Sequence, residues 1–453
     1  MPNLKKSFFG ILMTCTFLLI SACGEGSGAA GNSADPAQAA SGGNGEKTGT
    51  QTSAKPVTIE FWYGLGGKLG ENMQVLIDKF NSSQQEVIVK PVVQADYSET
   101  EKKLQAAIAS KTVPAAVLSS NVDWARKGYY APLDELIAGM PDFNQEDVVQ
   151  TFLEQGKVDG QQFFLPMYGT TQVMYYRKDA LEKQGIKAED LTTWEALADG
   201  AAKMTVKEGG KTVFYGWEPM WGAGNMIDAV YSKGGKILSD DGKTVLIDSP
   251  EWVETWELFR KWIHEDQIMR IHSGGQGWEY WYKTIDDVMK GQAAGYTGSS
   301  GDQGDLDFNI VAAMEQPGWE GAGEGKPVAE AIMAGIPAAA SPEQQQAAMK
   351  WFKFFMSAEN TAFWSMNTGY IAVRQSALDN PEFVAFSEKN PQATVPLKQA
   401  THGSKPFQDP TGGKITDALK IAADKVQISN VPAAEALKEA KETAQRELDR
   451  MGK

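Results

Sequence analysis

Between residues 57 and 118 the hydrophobic pattern alternates between two periods, and this limits the folds open to the chain more than any other feature. Val57 to Tyr63 (VTIEFWY) is a β-rich run. Lys68 to Phe80 follows with Leu69, Met73, Leu76, Ile77 and Phe80 on one helical face. Val87 to Val93 predicts a second strand, and Ser98 with Glu101 predicts a capping box that opens a second helix. Pro114 to Leu118 starts a third strand. Such a βαβαβ series implies a parallel sheet covered by helices, an α/β fold. Near Phe163 the pattern resumes with FFLPMYGTTQVMYY, a long extended stretch expected to break at Gly169 and to cross between lobes. Helix starts are expected at Thr193-Trp194-Glu195, Ser249-Pro250-Glu251 and Ser341-Pro342, the last with Ser at N-cap and Pro at N1. Two return strands are expected over 293–297 and 331–337. At 453 residues the chain is too long for one small core and calls for two to three lobes.

The start of the chain reads as an address. Lys5 and Lys6 precede an apolar stretch from Phe8 to Ile20, too short to span a bilayer and suited to a secretory signal. It ends in Ile20-Ser21-Ala22-Cys23, small residues before a cysteine, as in a bacterial lipobox with lipidation at Cys23. Residues 24–55 are mostly Gly, Ser, Ala, Asn, Thr and Gln, which cannot offset the entropy of ordering. They are expected to form a flexible tether with an r.m.s. span of about 30 Å. Together these segments predict a lipid-anchored protein on the extracytoplasmic face of a bacterial membrane.

Composition removes several classes of function. The formal charge of −15 disfavours phosphate backbones, so no nucleic-acid partner is expected. Cys15 and Cys23 are the only cysteines, leaving the body no disulfide framework and no thiolate metal site. Three histidines, His264, His272 and His402, offer little for zinc or for histidine-based catalysis. Gly298-Ser299-Ser300-Gly301 lacks the spacing of a nucleophile elbow. His264-Glu265 starts like a zincin helix, but Ile268 stands where the second His belongs. Gly45-Glu46-Lys47-Thr48 has no preceding strand for a P-loop. Asp240-Asp241-Gly242 reads as a hairpin turn, and Asp302, Asp305 and Asp307 as a solvated turn. The expectation is a protein that is not an enzyme and carries no cofactor and no metal. Carboxylates are common enough that a lipid-anchored enzyme acting on polysaccharide stays open as an alternative, as does an adhesive or sensor lipoprotein.

Aromatic residues are plentiful, with 13 Trp and 13 Tyr. Clusters occur at Phe61-Trp62-Tyr63, from Tyr215 through Trp217 to Trp221, from Trp278 through Trp281-Tyr282, and at Gly369-Tyr370. Sugar rings present apolar C–H faces and hydroxyl edges, which aromatic platforms with amide and hydroxyl partners can meet. Trp256, Trp262 and Trp351 lie within helical patterns and read as core. Tyr63, Tyr97, Trp217 and Tyr370 follow strands or sit in Gly-flanked loops and read as binding residues.

The ordered set of segments resembles the extracellular solute-binding proteins of family 1, which serve ABC importers of sugars. The likeness rests on the lipobox, VTIEFWYGLGG, MYYRKDALEKQGI, TTWEAL, Asp248-Ser249-Pro250-Glu251, NTGYIAVRQSAL and PAAEAL. It implies a two-lobed periplasmic-binding-protein fold of type II, maltose-binding-protein-like, with a hinge and an interlobe ligand cleft. On this basis the N-terminal lobe is assigned 56–167 and 293–337, and the C-terminal lobe 168–292 and 338–453. Expected crossings lie near 168–172, 296–299 and 335–339. Within the family the chain looks most like the glycerol-3-phosphate and glycerophosphodiester branch, through FWYGLGGKLGE, LPMYGTTQVMYYRKDA and Thr368-Gly369-Tyr370. That branch's contacts fall on Tyr97, Thr170, Ser299, Gly335 and Tyr370, and Trp194 stands where the branch also has Trp. Its acidic contact becomes Asn121, and its late arginine falls on Thr416, with Lys414 nearby. A phosphate site without its Arg loses a bidentate, charge-assisted donor. The resemblance therefore implies a mono- or oligosaccharide ligand, with a glycerol phosphate as the alternative, delivered by a monomer to ABC permease subunits. Tyr63, Trp217 and Tyr370 are expected to offer stacking area, and Asn121, Thr170, Ser299 and the Gly335 backbone to orient hydroxyls.

Overall fold

The computed structural model describes residues 55–451. The expected signal segment, Cys23 and the tether up to residue 54 lie outside them. An eight-stranded mixed sheet organises the body. Val57–Tyr63 pairs in parallel with both Val87–Val93 and Ala116–Val117, as the opening pattern requires. The helix Gly67–Ser83 buries Met73, Leu76, Ile77 and Phe80 against these strands. The next helix, Tyr97–Ser110, is capped by Asp96, whose carboxylate accepts from the Glu99 amide at 2.7 Å. The expected Ser98 box gives way because Asp96 sits three residues before that amide and offers a charged acceptor.

The stretch from Phe163 becomes a single 14-residue strand, Phe164–Arg177. Its first half pairs with Ala329–Gly335, from Phe164 opposite Gly335 to Thr171 opposite Ala329. Its second half pairs with Gly295–Ser299 and with Val311–Glu315. Gly169 does not break it. Its N–H and C=O exchange 2.8 Å hydrogen bonds with Ile371. A β-carbon there would lie 2.4 Å from the Phe152 ring, so glycine is required by close approach.

Two main cores flank this strand. The first gathers Phe61, Met73, Ile77, Phe80 and Leu165 with Trp351, Phe352 and Trp364 from the helices Pro342–Phe355 and Ala358–Thr368. The second gathers Trp194, Leu197, Trp217, Trp252, Trp256 and Phe259 with Leu419, Val426 and Leu437 from the C-terminal helices Lys414–Gln427 and Ala433–Met451. Tyr296 and Val311 pack with Val173 and Tyr175 beside the second core, while residues 342–373 complete the first. Gly335 is paired between Phe164 and Val117 within the first group. The helices start as expected at Ser341-Pro342 and Thr193-Trp194, and the structure adds a Ser341 capping box with Gln344 and a Thr193 cap onto the Ala196 amide. No helix among the described residues is long and apolar enough to cross a membrane.

Candidate functional site

Where the long strand passes from one core to the other, it meets the ends of three other segments. Tyr168 and Thr170 stand two residues apart on it, so they share one face. Tyr97 opens its helix and brings its hydroxyl 3.1 Å from that of Tyr168. Tyr370 follows the C-cap Gly369, which adopts φ +83 where the turn comes within contact of the Ser300 carbonyl. Its ring lies 4.5 Å from Tyr168 and is nearly parallel to Trp364, at 8°. The Thr170 hydroxyl is 3.3 Å from that of Ser299, which also accepts from the Gly301 amide at 3.0 Å. Tyr97, Thr170, Ser299 and Tyr370 are thus brought together from four distant stretches. Burial pushes the Tyr97 phenol up to about 12 and holds Tyr168 and Tyr370 well above 10, so all three stay neutral donors at physiological pH.

An aromatic wall faces this cluster. Trp278 meets Tyr97 edge-on at 5.5 Å, and its indole N–H donates to the Gly64 carbonyl at 3.2 Å. The helix Glu279–Met289 begins there and carries Tyr280, Trp281 and Tyr282 in its first turn. Trp221 stands edge-on to Tyr280 at 4.8 Å. Trp281 donates to Asp302 at 2.8 Å, and Tyr296 donates to the other oxygen of the same carboxyl at 3.1 Å. Burial raises Asp302 to about 8, against the pull of those two donors. Asp305 is also raised by burial, and its carboxylate meets the Lys68 amide at 3.4 Å. Trp221, Trp278, Trp281 and Tyr282 are only half-buried, so their faces and edges stay partly open.

The other expected residues are placed differently. Tyr63 is 1 % exposed and packs on Phe61 at 5.3 Å. Trp194 is fully buried against Phe259 and Trp319. Trp217 is fully buried, with its indole N–H on the Thr297 hydroxyl at 2.8 Å. These three rings are covered by protein, so the stacking expected of Tyr63 and Trp217 does not fit their positions. Gly335 is spent in two strand ladders, and a β-carbon there would meet Phe164 and Tyr130 at 2.8 Å. Asn121 caps the helix Val122–Arg126 by accepting from the Trp124 amide. Thr416 is tied to Asp409 through its amide and hydroxyl. The sequence reading marked the cluster from Trp278 through Trp281-Tyr282 but carried none of it into the expected binding set, which also lacked Tyr168 and Asp302. A signal was available: Trp278, Trp281 and Tyr282 repeat at i, i+3 and i+4, an apolar stripe too rich in aromatics for ordinary helix packing.

The charge around the cluster is acidic, and the chain's seven arginines are committed elsewhere. Arg126 pairs with Asp159, Arg177 with Asp179, Arg260 with Glu257 and Glu265, and Arg270 with Glu218 and Asp287. Arg374 serves the carbonyls of Phe143, Asn144 and Met356. Arg446 and Arg450 bond to Thr443 and Glu447 on the last helix. The site thus offers rings, hydroxyls and carboxyls, a set matched to a neutral polyhydroxylated ligand.

Comparison with known proteins gives the same architecture. The model of the bacterial extracellular solute-binding protein family matches residues 75–394. The chain is 24 % identical over 376 residues to the sn-glycerol-3-phosphate-binding periplasmic protein UgpB of Rhizobium meliloti, covering 80 % of this chain and 86 % of that protein. Its fold is similar to that of UgpB from Mycobacterium tuberculosis in complex with glycerophosphocholine, with a TM-score of 0.77, 21 % identity, and coverage of 88 % of this chain and 100 % of that one. It is also similar to maltose-bound MalE3 of T. maritima, with a TM-score of 0.74, 20 % identity, and coverage of 87 % and 100 %. With a two-lobed fold, a polar and aromatic cluster where the cores meet, and a family match over most of its length, the chain belongs to the bacterial extracellular solute-binding proteins.

Proposed function

We propose that this protein captures a mono- or oligosaccharide between its lobes and delivers it to the membrane subunits of an ABC importer. The observation that carries this reading is the commitment of every arginine to other partners, beside a cluster whose buried carboxyls are already short of positive charge. A phosphate would need a bidentate cation there, and a sugar would not. Trp278 and Tyr282 supply ring faces and edges; Tyr97, Thr170 and Ser299 supply hydroxyl partners, and the buried Tyr370 ring packs behind them against Tyr168. The protein acts as a lipid-anchored monomer through Cys23 and performs no chemistry on its ligand. Turnover of a chromogenic glycoside would count against that last point.

A second reading has a specific basis. The named relatives bind glycerol-3-phosphate, and one similar structure holds glycerophosphocholine. Thermal unfolding of the full chain in mild detergent separates the two. The panel holds maltose-, xylose- and arabinose-type sugars, glycerol-3-phosphate and glycerophosphocholine. A ligand at 100 times its dissociation constant stabilises the native state by about 2.7 kcal/mol, which should raise the midpoint by roughly 5–10 °C. A shift with sugars alone is expected. A shift with the glycerol phosphates alone would overturn the sugar reading and point to Lys414 or another donor for the phosphate.

A further inference from the structure

Three side chains outside the aromatic cluster converge on one point in the second lobe. Glu218 lies on the short strand Glu218–Pro219, paired in parallel with Tyr296 and Thr297. Asp287 lies on the helix Glu279–Met289, and His272 on the loop before it. One donor atom from each falls within 4.8 Å of the other two. Glu218 is fully buried. Its Oε1 accepts from the Arg270 guanidinium at 2.8 Å. Its Oε2 is buried without any hydrogen-bond partner and stands 3.9 Å from His272 Nε2. That imidazole nitrogen is 2.7 Å from Asp287 Oδ2, which Arg270 also contacts.

We propose that Glu218, His272 and Asp287 bind a divalent metal ion of the zinc class. Arg270 serves only one oxygen of Glu218, and a fully buried carboxyl oxygen left without a partner is costly until a cation, a proton or a water meets it. Ligand atoms about 2.0–2.2 Å from a tetrahedral ion stand roughly 3.3–3.6 Å apart, so the 3.9 Å pair needs little movement and the 2.7 Å pair must open by less than about 1 Å. One imidazole with two carboxylates suits zinc-class ions, whereas calcium requires six to eight oxygens. Arg270 takes the outer role. It bonds to both carboxylates and so holds their orientation, and its guanidinium rests 4.4 Å over the Tyr215 ring. Arg270 and His272 keep 29 % and 24 % of their side-chain exposure, which leaves a way in from solvent. No motif announced this group, because its donors come from a strand, a loop and a helix. A bound ion fastens the 270–272 loop and the helix bearing Trp281 and Tyr282 to the sheet.

The test is calorimetric titration of Zn²⁺ into the full chain, stripped with EDTA and held in mild detergent at pH 7.5. One saturable ion per chain is expected. Affinity should fall at least ~10-fold in both Glu218→Gln and His272→Ala. His402→Ala should leave it intact, although His402 makes its own 2.7 Å contact with Glu315. Co²⁺ should give a visible d–d spectrum in the parent chain and in His402→Ala, and lose it in His272→Ala. Absence of saturable uptake would overturn the proposal. So would uptake that survives both variants, or uptake that disappears with His402→Ala alone. His272 is partly exposed, so its variant keeps the test open if Glu218→Gln fails to fold. A ligand panel without any hit would refute the sugar reading and leave the metal result standing.

Discussion

Trp217→Ala separates a core residue from a ligand platform. The Trp217 side chain is fully buried, and its six-membered ring lies where a β-carbon on Gly295 would come within 2.3 Å. Its indole N–H also satisfies the buried Thr297 hydroxyl. Truncating a buried Trp to Ala costs about 3–5 kcal/mol in lost transfer energy and residual cavity. Leaving the Thr297 hydroxyl without its donor adds about 1 kcal/mol. Urea unfolding reads this directly. With a slope of about 2–3 kcal/mol/M, the midpoint should fall by roughly 1.3–3 M at unchanged slope. Trp217→Phe keeps a ring but not the N–H and should cost about 1–3 kcal/mol. A midpoint that moves by less than about 0.3 M in Trp217→Ala would refute the packing argument. If the same variant lost ligand affinity at full stability, Trp217 would be the platform that its Gly-flanked setting suggests.

The site residues and the buried acids yield three further predictions. Trp278→Ala removes an edge contact to Tyr97 and a hydrogen bond to Gly64 across the two cores. It should weaken binding of the panel's best ligand about ten-fold, or ~1.4 kcal/mol, by calorimetry, with a stability change well below that of Trp217→Ala. Gly301→Ala places a β-carbon 2.2 Å from the Tyr370 ring and must displace it; affinity should drop by more than ten-fold, and an unchanged affinity would exclude Tyr370 from the site. Stability should decline as pH rises from about 4 to about 8. Burial raises Asp228 to about 7 and Asp302 to about 8, so the folded state holds their protons after the unfolded chain has lost them. Each such acid removes up to about 1.4 kcal/mol per pH unit, until the pH passes its folded value. Urea midpoints measured at pH 5 and pH 8 check the sign, and a higher midpoint at pH 8 would contradict it.

What could be read from the sequence was local. The βαβαβ opening, the Ser341-Pro342 start and the Thr193-Trp194 start depend on residues within a few positions of one another, and each formed. The fold class followed because alternating strands and helices have few ways to close. Lobe membership did not follow, because it rests on pairings far apart in the chain. The helix Pro342–Phe355 joins the first core through Trp351, which meets Phe61 at 5.7 Å and Phe80 at 5.5 Å. Nothing near Trp351 in sequence specifies those partners. The same limit governed the aromatic residues. Trp217 and Trp278 both sit beside glycines, but only distant residues decide which face is covered. For Trp217 the cover comes from Gly295 and Thr297, and for Trp278 the neighbours are Tyr97 and Gly64.

The contacts that join the two cores explain how a ligand could control their spacing. They include two single hydrogen bonds, the Trp278 N–H on the Gly64 carbonyl and the Lys68 amide on Asp305, with the Trp278 edge on Tyr97 and the Ser300-Gly301 turn against Gly369 and Tyr370. Hydrogen bonds of this kind contribute only about 0.5–1.5 kcal/mol each, and water can replace them when the lobes part. The long strand Phe164–Arg177 is paired on both sides and connects the two cores. A ligand that touches Tyr97, Thr170 and Tyr370 from one side and Trp278 from the other adds its contacts only to the closed arrangement. By that difference alone it shifts the population toward closure. The edge contacts set the baseline, so removing Trp278 should lower affinity even for a ligand that bonds only to Tyr97, Thr170 and Ser299.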